Sequence, residues 1–265
     1  MAICSYNDGN LEIEGFCLSS IADMFGTPCY IYSRAEIEDR FFRYKKSFGS
    51  RPHTVCYAVK ANSNLSVLKI LKNVGSGFDI VSGGELDRVS FVGGSSEQIV
   101  FSGVGKSTSE IENSIKARVG CINVESLDEL ERISGLAEKL GVCAPIAVRV
   151  NPNINPKTHP YISTGLKENK FGIPMEEARE FYRRIAKKKS LKPVGIACHI
   201  GSQLTSLEPV VEALGEIVLL AEELKSEGIV LNHIDCGGGL GIRYQSENPP
   251  SIEAWVAMLN ICEIH

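Results

Sequence analysis

No apolar run in this 265-residue chain approaches the roughly 20 residues needed to cross a bilayer. No charged n-region precedes an apolar stretch at the N-terminus, so a signal peptide is not expected. The nine cysteines are scattered and contain no CxxC pair. Such an odd, unpatterned set argues against a disulfide framework and fits a reducing cytoplasm. There is no excess of positive charge: the net charge is −4, and Lys187-Lys188-Lys189 is the one basic cluster. That balance argues against nucleic acid or an anionic membrane as a partner, and the cluster reads as a solvated helix end. No metal is assigned to any group of residues. What the chain does have is 43% hydrophobic and 23% charged residues, which suits one large soluble domain, or one plus a fragment.

The first 34 residues hold a turn at Asp8-Gly9, an alternating run Leu11–Ile13, a helical stretch near Ser20–Phe25 and a short strand at Cys29–Tyr32. These elements cannot close a core alone and are expected to pack on something else. From Ser33 the rhythm changes. Capping boxes occur at Ser33-x-x-Glu36, Ser82-x-x-Glu85, Ser107-x-x-Glu110, Ser126-x-x-Glu129 and Thr205-x-x-Glu208. The last four each follow an apolar stretch, namely 77–81, 98–101, 121–124 and 194–200. Adding 54–59, 146–150 and 231–236 gives about seven strands alternating with helices. This predicts a parallel α/β fold whose strands are covered on both faces. Two closures compete, an open doubly wound sheet and a (β/α)8 barrel. A barrel needs an eighth strand that the alternation does not supply.

In either fold ligands gather at the carboxyl ends of strands. The first predicted strand ends on Lys60, and burying an ammonium group is costly unless it is paired or neutralised. Desolvation would lower its pKa and prepare it to capture a carbonyl as a Schiff base. The alternative is a lysine snorkelling where the strand leaves the core. Other strand ends carry Asp79 and Ser82–Glu85, Arg149, His199 with Ser202, and Asp235 followed by Gly237-Gly238-Gly239. Each has a bland reading: Asp79 and Glu85 as helix caps, Arg149 paired with a structural acid, His199 as a hydrogen-bonded core residue. Gly237-x-Gly239 does not extend to a dinucleotide fingerprint, because position 242 is Ile. It remains a turn with backbone N–H groups suited to one phosphate. Ser102–Ser107 ends like a P-loop, but the first glycine would fall on Val100, so it reads as a turn with Ser107 capping the next helix.

Tyr57-Ala58-Val59-Lys60-Ala61-Asn62 resembles the lysine motif of the fold-type III pyridoxal phosphate (PLP) enzymes. Arg149–Pro152, Lys157–Gly165, Lys170-Phe171-Gly172 and His199–Gln203 narrow the likeness to the diaminopimelate decarboxylase family. The resemblance implies an alanine racemase-like (β/α)8 barrel over residues 35–265, with residues 1–34 belonging to a second, β-rich domain. It implies that Lys60 carries PLP and that His199 stacks on the ring. Gly237, Gly238, Gly239 and Ser202 would hold the phosphate, and Arg149 would lie near the phenolic oxygen. Asp79 and Glu85 would support them. The implied reaction is PLP-dependent decarboxylation of meso-2,6-diaminopimelate to L-lysine by a cytoplasmic homodimer.

The family also carries a Glu-Pro-Gly-Arg motif on the eighth strand and a Cys-Glu pair in the β-rich domain, whose cysteine donates a proton across the dimer. Neither motif is matched here, since Cys262-Glu263 precedes any eighth strand. A C-terminally truncated chain that is poorly stable, prone to associate and inactive alone is therefore the expectation. A non-catalytic PLP-binding remnant and an ornithine or arginine decarboxylase are the competing readings.

Overall fold

The computed structural model describes residues 4–154 and 171–259. Strands β1 (Cys4–Asn7), β2 (Asn10–Ile13) and β3 (Phe16–Cys17) form a small antiparallel sheet. Asp8 and Gly9 both have positive φ (46° and 77°) between the paired residues Asn7 and Asn10. This two-residue turn has the twist a hairpin prefers. Helix α1 (Leu18–Phe25) follows and buries none of its residues. The strand expected at Cys29–Tyr32 does not form; the segment is irregular and Tyr30 is 91% exposed. Its apolar side chains lack a neighbouring strand to pair with. The Glu14 carboxylate ties this region to α2 (Arg34–Phe48) by accepting from the Ser33 hydroxyl and the Ala35 N–H.

Alternating elements then follow: β4 (Cys56–Ala58), α3 (Leu65–Val74), β5 (Gly77–Ile80), α4 (Gly83–Phe91), β6 (Ile99–Phe101), α5 (Thr108–Lys116), β7 (Cys121–Val124) and α6 (Leu127–Leu140). The second half holds β8 (Ala144–Asn151), β9 (Ile173–Pro174), α7 (Met175–Ala186), β10 (Leu191–Ala197), α8 (Glu208–Ser226), β11 (His233–Asp235) and α9 (Ile252–Leu259). Ser33, Ser82, Ser107 and Ser126 cap their helices as expected, each accepting from the N–H of the glutamate three residues on. Thr205 does not. Helix α8 starts at Glu208 behind Leu207, where Pro209 presets the first turn.

The strand order β4-β5-β6-β7-β8-β10-β11 follows the chain without reversal, and every adjacent pair is parallel. A doubly wound sheet would reverse direction at a switch point. This sheet winds one way and curls. Asn123 on β7 donates to Asp235 on β11 at 3.0 Å. Those strands are three positions apart, which in a flat sheet would separate them by about 14 Å at the usual strand spacing. The fold is thus a curled, seven-stranded part of a TIM-type barrel. On the outside, α2 packs against α9 and Arg43 makes a two-pronged ion pair with Glu253, both bonds 2.8 Å.

The core lies between the convex face and the helices. Phe78, Ile80, Ile99, Phe101, Ile122, Ile146 and Ile196 point outward and are fully buried, together with Leu68, Ile111, Leu130, Tyr182 and Ile217 from the helices. Each such side chain contributes about 1.5–3 kcal/mol by leaving water. Alternate residues of the same strands face the concave side and, apart from Val100, are small or polar: Ala58, Gly77, Asp79, Cys121, Asn123, Ala147, Arg149, Gly195, Ala197, His233 and Asp235. A TIM barrel usually fills this space with bulky branched residues. Here Gly195 lies under the His233 ring so closely that a Cβ would fall 2.2 Å from Nε2.

Candidate functional site

The concave face at the strand carboxyl ends gathers most of the predicted residues. Lys60 lies on a one-turn 3-10 segment, Val59–Ala61, directly after β4. It is exposed, which matches the alternative of a lysine that leaves the core at the strand end and not the buried one. Among the described residues β4 has a single strand neighbour, β5, so one side of Lys60 is left open. Its charge still acts on both Asp79 and His199.

Asp79 does not cap a helix. Its Oδ1 accepts from the Ser102 hydroxyl at 2.6 Å. Burial is the largest influence on Asp79 and pushes its carboxyl up to about 6; the Ser102 bond and the Lys60 charge oppose that rise. Glu85 fulfils the bland expectation, its carboxylate accepting from the Val81 N–H at 2.7 Å beside the start of α4. Arg149 is anchored by Glu125, with Nη1 3.0 and 3.2 Å from its two oxygens, and its guanidinium lies 5.1 Å from the Phe171 ring centroid. Gly172 has φ +84°, and a Cβ there would meet the Arg149 carbonyl oxygen at 2.8 Å. The Phe171-Gly172 pair therefore fits against Arg149 only as glycine. The expected Lys157–Gly165 signature, Lys170 and Cys262-Glu263 lie outside the described residues.

His199 follows β10. Burial, then Arg149 and Lys60, lower its pKa to about 4, so the ring is neutral at pH 7. Its Nδ1 accepts from the Gly238 N–H at 3.4 Å, which places the ring proton on Nε2. Gly237 donates to Asp235 Oδ1 at 2.9 Å. Two N–H groups of the glycine turn are thus engaged within the protein, the second by a bond at the long end of the hydrogen-bond range. Positive φ at Gly237 and Gly239 leaves no room for side chains: a Cβ would meet the Cys198 carbonyl oxygen at 2.5 Å and the Gly201 carbonyl oxygen at 2.0 Å. Gly238 has nothing within 4 Å of its Cβ position. Gln203 clasps Ile242 through a reciprocal amide pair and holds the turn beside exposed Ser202.

Lys106, in the P-loop-like segment, is fully occupied. Its Nζ donates to the Gly103 and Asn123 carbonyls and to Glu129 at 2.6–2.7 Å, with the side chain wholly buried. The predicted residues did not include Ser102, Asn123 or Glu125 as site members. All three occupy the i+2 positions that continue the concave face at strand ends.

An amine just after β4, a neutral imidazole, an anchored guanidinium and a glycine turn all lie at the carboxyl ends of the strands. Residues 34–262 match the family described as "Pyridoxal-dependent decarboxylase, pyridoxal binding domain". The chain belongs to this family. As a pyridoxal-dependent decarboxylase domain it is similar to diaminopimelate decarboxylase of Pseudomonas aeruginosa, 53% identical over 93% of this chain and 59% of that protein. The Haemophilus influenzae protein of that name is 49% identical over 94% of this chain and 60% of its own length. Among solved structures, Helicobacter pylori diaminopimelate decarboxylase complexed with L-lysine superposes with a TM-score of 0.90 at 44% identity, covering 92% of this chain and 62% of that one. The chain spans about 60% of the length of these curated relatives.

Proposed function

We propose that the protein is the cofactor-binding barrel of a PLP-dependent enzyme that decarboxylates meso-2,6-diaminopimelate to L-lysine and CO2. The observation that carries this is the convergence of Lys60, Asp79, Arg149, His199 and the Gly237–Gly239 turn on one concave face. The roughly 50% identity to diaminopimelate decarboxylases supports the substrate. PLP supplies an electron sink for the charge left at Cα when CO2 departs.

The chain's own residues have distinct tasks in this reading. Lys60 offers the amine, from the 3-10 turn that follows β4. Asp79 provides a nearby carboxylate whose proton leaves near neutral pH, so it can balance the amine's charge. The neutral His199 offers a flat ring surface without adding a positive charge beside Arg149 and Lys60. Arg149 is oriented by Glu125 and can face an anionic oxygen. The space beside Gly238 admits a phosphate, for which its loosely held N–H and Ser202 are the available donors. The complete protein is read as a cytoplasmic homodimer, with β1–β3 contributing to a second, β-rich unit. Among the described residues no helix is long and apolar enough to cross a membrane.

The test is to incubate the chain with PLP, reduce with borohydride and map the modified peptide. Label at Lys60 is expected. Label elsewhere with Lys60 unmodified would overturn the assignment. In a full-length version, CO2 release from diaminopimelate should exceed that from ornithine or arginine; the reverse order would refute the substrate.

A further inference from the structure

One polar chain crosses the barrel interior. Ser102, at the end of β6, donates to Asp79 on β5 at 2.6 Å. Asn123 on β7 donates through Nδ2 to the Ser102 hydroxyl at 3.2 Å and to Asp235 on β11 at 3.0 Å. The other oxygen of Asp235 accepts from the Gly237 N–H at 2.9 Å. The amide orientation is set by its neighbours. Asn123 Oδ1 accepts from the Cys121 thiol at 3.7 Å, and a reversed amide would turn its carbonyl toward the Asp235 carboxylate. Asn123 is 2% exposed and uses both amide hydrogens and its oxygen. Without it, two carboxylates on opposite walls would share a low-dielectric space with no hydrogen-bonded link between them.

We propose that Asn123 is a positioning residue that couples the Asp79–Lys60 side of the site to the glycine turn, by committing the Ser102 proton to Asp79 and by fixing the Asp235 carboxylate that pins Gly237. The Asp79 half of this rests on geometry alone; the glycine-turn half rests on the cofactor reading above. The amide occupies a lone pair of Ser102, which leaves the hydroxyl hydrogen to Asp79. The same amide holds Asp235 in the rotamer whose other oxygen accepts from the Gly237 N–H at the start of the turn. Around Asp79 the charged and titratable groups are Lys60 and Cys56 from the β4 side, Glu85 from α4 and Asp235 from β11. Of these only Asp235 bonds to Asn123, and Ser102→Ala leaves that bond in place.

The experiment compares Asn123→Ala, Asn123→Leu and Ser102→Ala in the 265-residue chain. The first readout needs no cofactor: the Asp79 carboxyl titration followed by carbon-13 NMR. Ser102→Ala should raise the midpoint by about one pH unit, and both Asn123 variants by about half a unit. The second readout is the ratio of dissociation constants for pyridoxal and PLP. Both Asn123 variants should lower the preference for PLP about tenfold, and Ser102→Ala should leave it unchanged. Leucine has the branching of asparagine and leaves no cavity, whereas alanine does, so agreement between the two Asn123 variants assigns the effect to lost donors and not to a cavity. An Asp79 midpoint unmoved by both Asn123 variants, or a PLP preference equal to that of Ser102→Ala, would overturn the coupling. A wild-type chain that does not bind PLP would refute the cofactor reading, and the Asp79 titration would then decide the coupling alone.

Discussion

Replacing Asp79 by asparagine should make the protein more stable at neutral pH and leave it unchanged in acid. Burial raises the Asp79 carboxyl from 3.8 in an unfolded chain to about 6 in the fold. Below pH 3.8 both states hold the proton, and Asp79 costs nothing. Between 3.8 and 6 the unfolded chain ionises while the folded chain resists, so this contribution to stability falls as pH rises. Above about 6 the loss is complete, and at about 1.4 kcal/mol per pH unit it amounts to about 3 kcal/mol. Asparagine keeps an oxygen for the Ser102 hydroxyl and carries no charge, so Asp79→Asn should recover up to about that amount at pH 8, on the order of 6–12 °C in Tm. The wild-type profile alone cannot isolate this effect. His199, lowered from 6.5 to about 4, works in the opposite direction, because the unfolded chain takes up a proton between those values and stability falls with falling pH. The difference between variant and wild type removes the His199 contribution. Urea unfolding of both proteins from pH 4 to 8 supplies the measurement. A difference that is flat with pH, or an Asp79→Asn protein less stable than wild type at pH 8, would refute the reasoning. A carboxylate held at such cost makes sense where its charge is needed beside an amine.

Gly238→Val should leave folding intact, because its Cβ enters open space; it should weaken PLP far more than pyridoxal, whereas Gly239→Val, facing a carbonyl oxygen at 2.0 Å, should reduce folded protein in any ligand state, as circular dichroism would show. Lys106→Met breaks a buried ion pair and should cost about 3–5 kcal/mol in urea unfolding, with part regained in Lys106→Met/Glu129→Gln; no loss would mean that Glu129 finds another donor. Glu125→Gln keeps the shape of the Arg149 anchor and removes its charge, so PLP binding measured by fluorescence titration should weaken about tenfold; unchanged binding would remove Arg149 from the site.

Local signals in the sequence sufficed for the alternation, for four of five caps and for which polar strand ends meet on one face. Those signals lie within a few residues of each other: a serine three positions before a glutamate, or a lysine after Cys56–Val59. The winding was not legible locally, since the open sheet and the barrel share the same alternation. Strand order decides it, through pairings across the whole chain. Asn123 escaped notice for the same reason. Its neighbours Ile122 and Val124 made the strand look wholly apolar, and its partner Asp235 is 112 residues away. For Lys60 the sequence left a buried and a snorkelling side chain open, and the exposed one is found; exposure depends on neighbours that a linear pattern does not show. At Thr205 the signature was present and Pro209 overrode it.

The division of each strand into a convex apolar set and a concave small or polar set has a consequence for how such a protein can change. Phe78 and Ile80 hold the helices, while Asp79 between them meets Ser102. Substitutions that redirect chemistry and substitutions that loosen the fold therefore fall on alternate letters of the same short words. A lineage could rewrite Ala58, Ala147 or Ala197 to reshape the chamber while the layer that folds the chain stays as it is. Drift in the outer letters would be tolerated only as far as volume is kept. Variation confined to every second position of these strands is the pattern such a history would leave.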